Sequence, residues 1–430
     1  MRLLPLLIAL LTFPAAAQDE VPEGKEPAAD PSPTETELES WQEDRIGFGG
    51  IPAVNYNADE GFGFGVVFGI YRYNGNTAPY KWALDNQIFM TTRNVHHHRI
   101  IFDILDLMGG KLRILGRVKF EASRAEHYCG LGGEVTCDTD LRDQVGEDLG
   151  LTGDELETFE NRYYKMRYIM PYGIVRFRYK LRDKPHRVEI FGGWRGNYVT
   201  PGDLAESGPW KDTFYSEDFP EGEKGLVSVI QAGIMADNRR NEAAPYDGYW
   251  VEASVRGSSR YWGSKSDWEY FGVNTILRVY LPLIPNNDGA LVLANRVAFD
   301  GIIGNTNTLD LAWSGGSGLM TYGGGTDSAR GIRARRYRGK VDLLEQVELR
   351  GRFTKFKIGN IPFEFGGVAF LDAGMVGEEW SDFGASPPFF GTGGGLRLTM
   401  DQNFVIQADI GLSPAEGWGI FPYIETGNTF

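Results

Sequence analysis

The sequence predicts an all-β fold, a 16-stranded antiparallel transmembrane β-barrel with an inward-folding loop between strands 11 and 12. Runs of alternating apolar and polar residues recur from residue 45 to the end, a pattern that places successive side chains on opposite faces of a strand. Many runs reach the roughly 9–11 residues that a tilted membrane strand needs, whereas globular strands usually stop near about 5 or 6. The 57 glycines and 13% aromatic residues also suit such strands better than helices.

Residues 1–17 predict an export signal that is cleaved from the mature protein. Arg2 supplies its positive charge, a short apolar core follows, and the segment ends in the small residues of a cleavage site, Ala15-Ala16-Ala17. The apolar core is too short to span a bilayer as a helix, which takes about 20 apolar residues, and no later segment supplies them. We therefore expect no membrane-spanning helix.

Residues 18–44 are rich in Pro, Glu, Asp and Thr and contain few apolar side chains to bury. This composition predicts a disordered segment, which in an exported chain would be a periplasmic tether. From residue 45 onward no long structureless linker separates the strand-like runs. Residues 45–430 are therefore expected to form one outer-membrane barrel domain.

Sixteen strand-like runs follow one another along this domain. They cover residues 46–57, 61–73, 81–93, 97–107, 111–123, 163–181, 185–200, 225–238, 247–262, 266–281, 289–304, 341–358, 362–376, 391–400, 403–413 and 416–430. An even number of strands returns both chain ends to the same side of the membrane. Short turns alternate with long connections, as expected for a periplasmic and an outer face. The long connections cover residues 124–162, 201–224, 305–340 and 377–390.

Charge and cysteine content narrow the function classes. The net charge of -15 argues against a nucleic-acid-binding protein, because no basic face is offered to phosphates. Cys129 and Cys137 are the only two cysteines, and an exported chain reaches an oxidising compartment. We expect them to form a disulfide within their connection rather than a metal site.

A basic segment lies in the long connection before the twelfth run. It contains Arg330 and Gly331, and the next two runs carry Glu348 and Asp372. By strand parity Glu348 faces away from Leu349, as a polar lumen opposite a lipid-facing wall requires. A cationic loop beside inward-facing acids indicates a plug anchored in a polar cavity, because a buried guanidinium must be paired. The alternative is a solvated surface loop.

The chain resembles the BamA/TamA-type surface-antigen superfamily, whose members are sixteen-stranded bacterial outer-membrane barrels that insert or translocate proteins. Residues 55–65 resemble the first hairpin of the family, and residues 237–248 resemble its mid-barrel hairpin with the Asp-x-Arg-x-Asn pattern. The resemblance extends over essentially all of residues 45–430. It implies the same barrel architecture here.

The family places an inward-folding plug in the long connection after the eleventh strand. Its motif is an apolar residue, Arg, Gly and an aromatic residue, and the Ala-Arg-Gly-Ile of residues 329–332 resembles it, with Ile332 at the aromatic position. The resemblance implies that Arg330 reaches back into the lumen and pairs with Glu348 and Asp372.

The chain ends on Phe430, and residues 419–430 resemble the last strand by which bacterial outer-membrane barrels are recognised for assembly. The resemblance therefore implies a location in the bacterial outer membrane. The partners it implies are outer-membrane lipids and, during biogenesis, the barrel-assembly machinery and periplasmic chaperones. It does not identify a client polypeptide.

Family members that assemble or secrete proteins carry periplasmic repeat domains ahead of the barrel, and the sequence predicts none here, so we place the chain with barrel-only members. One hypothesis is insertion or translocation of protein or lipid near the seam between the first and last strands, where Pro422 weakens pairing. The alternative is a passive or gated small-solute pore whose plugged, charged lumen filters anions. Its lining would include Arg176, Arg178, Lys180, Arg187 and Arg195.

A third hypothesis is an outer-membrane hydrolase, which needs a nucleophile or a water-activating set of side chains. His96, His97 and His98 lie together at an outer turn and His127 follows in the next long connection. Their spacing fits no folded metal site, and no acid or nucleophile motif accompanies them. We therefore expect no enzyme activity and no cofactor.

Overall fold

The computed structural model shows one closed antiparallel sheet of sixteen strands within the residues that it describes. Each strand pairs with its neighbours in sequence, and the first strand closes against the last. The predicted fold class, a 16-stranded antiparallel barrel, is thereby confirmed. The predicted export signal (residues 1–17) and tether (residues 18–44) lie outside the described residues. The described residues are 46–57, 60–73, 80–202, 213–240, 244–284, 290–318, 320–358, 361–400, 404–426 and 428–430.

The strands are β1 (Ile46–Asn57), β2 (Gly61–Arg72), β3 (Trp82–Thr91), β4 (His96–Leu107), β5 (Leu112–His127), β6 (Lys165–Arg182), β7 (Arg187–Gly202), β8 (Gly225–Asp237), β9 (Gly248–Ser258), β10 (Tyr270–Pro282), β11 (Leu291–Gly304), β12 (Val341–Ile358), β13 (Ile361–Gly377), β14 (Phe389–Met400), β15 (Phe404–Leu412) and β16 (Phe421–Thr426). Fifteen of them follow the predicted runs closely. The prediction that residues 416–430 form one strand is wrong, because β16 covers only Phe421–Thr426.

The alternating pattern of β10 illustrates how the barrel wall forms. Phe271 is 54% exposed on the outer face, whereas Tyr270, Asn274 and Tyr280 on the other face are buried. The same alternation recurs along β12, where Leu349 is exposed. An apolar exterior and a polar interior are what a strand requires when one face meets lipid and the other a lumen.

The longest connections between strands all lie at one end of the barrel, here called the long-connection end, and the opposite end is called the short-turn end. Residues 128–164 and 305–340 belong to the long-connection end, and residues 183–186 to the short-turn end. Gly109 and Gly110 form the turn between β4 and β5 with φ of 68° and 76°, a backbone conformation that favours glycine. Both ends of the barrel domain lie at the short-turn end, as the even number of strands predicts.

The connection between β5 and β6 forms a small folded unit with helices α1 (Thr139–Asp148) and α2 (Asp154–Glu160). Cys129 and Cys137 form the expected disulfide within it, with their Cα atoms 5.1 Å apart. A further short helix, α3 (Phe214–Asp218), precedes β8. Within the described residues no helix combines the length and apolarity needed to cross a bilayer. Around Cys129 a buried cluster forms from Leu151, Phe159, Tyr163 and Tyr164.

Candidate functional site in the barrel interior and at the seam

The connection between β11 and β12, residues 305–340, is held mainly by charged contacts, of which those of Arg330 are the most complete. Its Nη1 donates to Oε1 of Glu348 at 2.6 Å, and its Nε and Nη2 donate to the two carboxylate oxygens of Asp372 at 2.8 and 2.9 Å. The three side chains are fully buried. The structure thus brings together Arg330, Glu348 and Asp372, the three residues whose pairing the family resemblance implies.

Further contacts complete the surroundings of Arg330. Nη1 lies 3.2 Å from Oδ2 of Asp409 on β15, and the guanidinium lies 3.5 Å from the ring centroid of Phe370. Burial lowers the pKa of the Arg330 guanidinium, but the charges of Asp372 and Glu348 outweigh that effect and raise the pKa above its ordinary value. Arg330 therefore stays cationic, as a guanidinium surrounded by acids must.

Glycines allow the Arg330 backbone to approach the strands closely. Gly331 has φ of 88°, and a Cβ there would lie 2.4 Å from the backbone nitrogen of Leu412. Gly391 and Gly411 are equally constrained, since a Cβ at Gly391 would lie 1.9 Å from the carbonyl oxygen of Arg330. Sequence reasoning missed these two glycines and Asp409. The available signal was glycine within otherwise regular strands, which often marks a close backbone approach.

The remaining arginines of this connection lie near the long-connection end. Arg335 Nη2 donates to Oε2 of Glu126 at 2.6 Å, and Arg338 also pairs with Glu126. Arg333 and Arg336 both pair with Glu416, at 3.2 and 2.9 Å. Each of these four arginines is therefore paired with an acid of a strand end or a neighbouring connection, and two glutamates are shared among them.

The seam between β1 and β16 is short. Among the residues that the structure describes, Tyr56 pairs with Ile424 and Asn57 with Tyr423 across it, whereas β1 and β2 share twelve residue pairs. Within the described residues, positions 46–55 of β1 have no partner on β16. The unpaired part of β1 lies toward the short-turn end.

The last residues of the chain leave the wall and lie in the interior. Oγ1 of Thr429 accepts a hydrogen bond from Arg330 at 3.3 Å, and the carbonyl oxygen of Phe430 accepts one from Arg350 at 2.8 Å. The guanidinium groups of Arg350 and Arg296 lie 4.9 and 5.0 Å from the ring centroid of Phe430. These interior donors and cation–π contacts hold Thr429 and Phe430 inside the barrel.

Several solved structures share the fold of this barrel. BamA from Haemophilus ducreyi lacking POTRA domains 1–3 matches with a TM-score of 0.50 and 13% identity, covering 89% of this chain and 70% of that one. The barrel of this chain has the fold of BamA and CdiB. CdiB from Escherichia coli matches with a TM-score of 0.55, 10% identity and coverage of 90% and 68%. CdiB from Acinetobacter baumannii matches with a TM-score of 0.50 and 12% identity, covering 90% of this chain and 60% of that one.

These comparisons confirm the predicted resemblance to BamA-type barrels at the level of the fold. No family model matches the sequence, and no curated protein matches it. Identities of 10% to 13% leave the function of the BamA-like barrel to be argued from its own residues.

Two of the cavities inside the BamA-like barrel are large enough to hold a ligand. The larger has a volume of about 730 Å³ and extends from β4 and β5 to the seam. The smaller, of about 300 Å³, lies nearer the short-turn end. Its lining includes five arginines, Arg178, Arg187, Arg239, Arg278 and Arg296.

Most of the lumen cations that the sequence singles out are neutralised. Arg178 pairs with Glu189, Arg187 with Asp237 and Arg195 with Asp310, each at 2.6 Å. Lys180 pairs with Asp183 at 3.3 Å. Arg176 forms no ion pair with a carboxylate in the described part of the chain. An anion-selective lining is therefore restricted to a few arginines.

The histidines of β4 contact separate partners. His97 Nε2 lies 3.2 Å from Oε1 of Glu60, and His96 Nε2 lies 3.1 Å from Oδ1 of Asn94. His127 contacts Arg333 instead, at 3.0 Å. Across the described ranges, no group of three or more His, Cys, Asp or Glu side chains is arranged to hold a metal ion.

Proposed function

We propose that this chain is a bacterial outer-membrane protein of the BamA/TamA type that inserts or translocates protein or lipid at the seam between β1 and β16. The observation that carries the proposal is the short pairing of these strands, two residue pairs against twelve between β1 and β2. Fewer ladder hydrogen bonds make this the weakest joint of the barrel wall. A local opening would begin there.

The unpaired edge of β1 also supplies a chemical reason for the activity. In hydrocarbon each unsatisfied backbone group costs several kcal/mol, so the edge of residues 46–55 needs water from the lumen or a pairing partner. An exposed strand edge is a template for another strand. The same gap gives amphiphilic molecules a lateral path between lumen and lipid.

We further propose that Arg330 locks residues 305–340 inside the lumen as a plug. Its contacts with Glu348, Asp372 and Asp409 support this role, because they tie the connection to β12, β13 and β15. The wall on the C-terminal side of the seam is thereby held rigid. Movement is then confined to β1 and the last strand.

The location and biogenesis of the protein form part of the same proposal. An export signal at residues 1–17 would deliver the chain to the periplasm, and residues 18–44 would remain there as a tether. Periplasmic chaperones and the barrel-assembly machinery would then place it among outer-membrane lipids, with Phe430 contributing to recognition.

The test is a reversible lock across the seam. Tyr56→Cys with Ile424→Cys would join β1 to β16 by a disulfide, and Val54→Cys with Phe64→Cys would join β1 to β2 as the matched control. Each variant replaces the native gene, and the protein and phospholipid composition of the outer membrane is measured. We expect only the seam lock to reproduce the deletion phenotype, and a reductant to relieve it. Full complementation by a verified lock would overturn the proposal.

A gated pore for small anions is the second candidate function. The arginine-lined cavity of about 300 Å³ favours it, because Arg278 and Arg296 there form no ion pair with a carboxylate in the described residues. A cationic lining lowers the barrier for anions. Conductance across planar bilayers distinguishes this candidate from a seam that opens only to a client.

A further inference from the structure

The larger cavity joins the lumen to the lipid-facing side of the wall. Val54 and Ile424 line it at the seam and Ile406 lines it from the adjacent strand β15, and their side chains are 39% to 62% exposed on the outer face. Arg99 on β4 and Arg117 on β5 line it from the interior. One continuous space of about 730 Å³ therefore has an apolar mouth and a cationic wall.

Arg99 and Arg117 are two neighbouring cations of the barrel interior. Neither forms an ion pair with a carboxylate in the described part of the chain, and Nε of Arg117 is buried without a hydrogen-bond partner there. Arg99 pairs in register with Lys119, and Arg117 with Ile101, so the two arginines are diagonal neighbours at roughly 7–8 Å. An anion between them would accept charge-assisted hydrogen bonds from both.

Acidic groups line another side of the same cavity. Asp327 and Glu425 form no ion pair with a cation in the described residues, although Glu425 Oε1 accepts a hydrogen bond from Thr326 at 2.9 Å. Oδ1 of Asn55 is buried without a partner in these residues. These oxygens form a set of acceptors suited to an ammonium group.

The other charged groups around the cavity are already neutralised. Glu121 pairs with Lys119 at 2.6 Å, and His97 lies 3.2 Å from Glu60. Arg335 pairs with Glu126 at 2.6 Å. What remains is one cationic pair and one acidic pair, separated by the cavity.

We propose that this cavity binds a phospholipid with an amine-bearing headgroup. Its phosphate lies between Arg99 and Arg117, its ammonium group contacts Asp327 and Glu425, and its acyl chains leave through the seam past Val54. The inference deepens the proposed function and rests on it, because the seam supplies the lateral path. A free phosphate would use the two arginines but not the apolar mouth or the acids.

The test is lipid binding to the purified full-length barrel in detergent, measured by native mass spectrometry. We expect phosphatidylethanolamine to bind about tenfold more tightly than phosphatidylglycerol, which lacks the ammonium group. Soluble glycerophosphoethanolamine, which lacks acyl chains, is expected to compete poorly. Equal binding of the two lipids, or full displacement by the soluble headgroup at equal concentration, would overturn the proposal.

Two variants test whether the lipid binds at Arg99 and Arg117. Arg99→Gln with Arg117→Gln is expected to weaken phosphatidylethanolamine binding by about tenfold. Arg278→Gln is the matched control, because Arg278 also lacks a carboxylate partner in the described residues but lines the other cavity. Retained binding by the double variant, or an equal loss with the control, contradicts the assignment. The lipid preference of the unaltered protein tests the proposal even where a variant fails to fold.

Failure of this inference is distinguishable from failure of the proposed function. Lipid binding is measured without a client, whereas the seam lock is scored in cells. A functional effect of the lock without headgroup preference would leave the seam hypothesis standing and remove the lipid site. Headgroup preference together with full complementation by the seam lock would support the lipid site and contradict the seam hypothesis.

Discussion

Arg330 and Asp372 form a two-pronged ion pair inside the barrel, with Nε and Nη2 donating to separate carboxylate oxygens at 2.8 and 2.9 Å. The backbone nitrogen of Arg330 also donates to Oδ2 of Asp372, at 3.0 Å. Side chain and main chain of one loop residue are therefore bound by a single carboxylate on β13. This geometry needs the planar fork of a guanidinium.

Replacement of Arg330 with Ala is expected to destabilise the barrel by about 3–5 kcal/mol, because it leaves Asp372 and Glu348 buried without their cation. The measurement is the temperature at which the folded barrel loses its anomalous mobility in gel electrophoresis. Arg260→Ala is the control, since Arg260 pairs with Glu269 at an exposed site where solvent screens the interaction and little effect on stability is expected. Equal unfolding midpoints for the two variants would contradict the proposal that Arg330 locks residues 305–340 in the lumen.

Gly331→Ala is expected to be more damaging than Gly109→Ala, although both glycines have positive φ. Both substitutions place an alanine at positive φ, which costs roughly 1–2 kcal/mol in each variant. Only at Gly331 does the new Cβ meet a strand, 2.4 Å from the backbone nitrogen of Leu412, whereas nothing lies within 4 Å of it at Gly109. Thermal unfolding of both variants measures the difference. Similar losses would show that close approach to β15 is unimportant.

Phe430→Ala is expected to lower the thermal stability of the purified barrel by about 3 kcal/mol, because a buried ring is lost from between two arginines. Phe271→Ala on the lipid-facing surface is the control. Recognition during assembly is scored separately, as the amount of folded protein reaching the membrane. Unchanged stability with poor delivery would assign Phe430 to assembly alone.

Deletion of residues 320–340 is expected to raise conductance across a planar bilayer, because it removes the segment proposed to fill the lumen. Deletion of residues 139–160, which contain α1 and α2, is the control at the same end of the barrel. Unaltered conductance after the first deletion would argue against a plug. Greater conductance after both would indicate a general loss of wall integrity.

Cys129→Ser with Cys137→Ser is expected to leave the barrel folded and to loosen the connection between β5 and β6. The disulfide spans only eight positions, so its effect is local. Limited proteolysis is expected to cut this connection faster in the variant than in the oxidised protein. A reductant should produce the same acceleration in the unaltered protein and none in the variant.

Strand alternation made the barrel predictable, because each strand buries one face against the lumen and the period of two is local to the sequence. Glu348 and Leu349 show this, since neighbours on β12 point to opposite sides of the wall. The partners of Arg330 were predictable only through the resemblance to known barrels. Asp409, Gly391 and Gly411 complete its surroundings from strands that no local pattern connects with it.

The sequence by itself determined the strand number and the two faces of the wall, and its resemblance to known barrels indicated the pairing of Arg330 with Glu348 and Asp372. Tertiary structure alone decided that β16 ends at Thr426, that two residue pairs join the described parts of β1 and β16, and that Phe430 turns inward. The physical reason is the separation along the sequence between the residues that interact. Alternation depends on neighbouring residues, whereas the last strand ends where distant arginines, Arg296 and Arg350, bind the chain terminus from across the lumen.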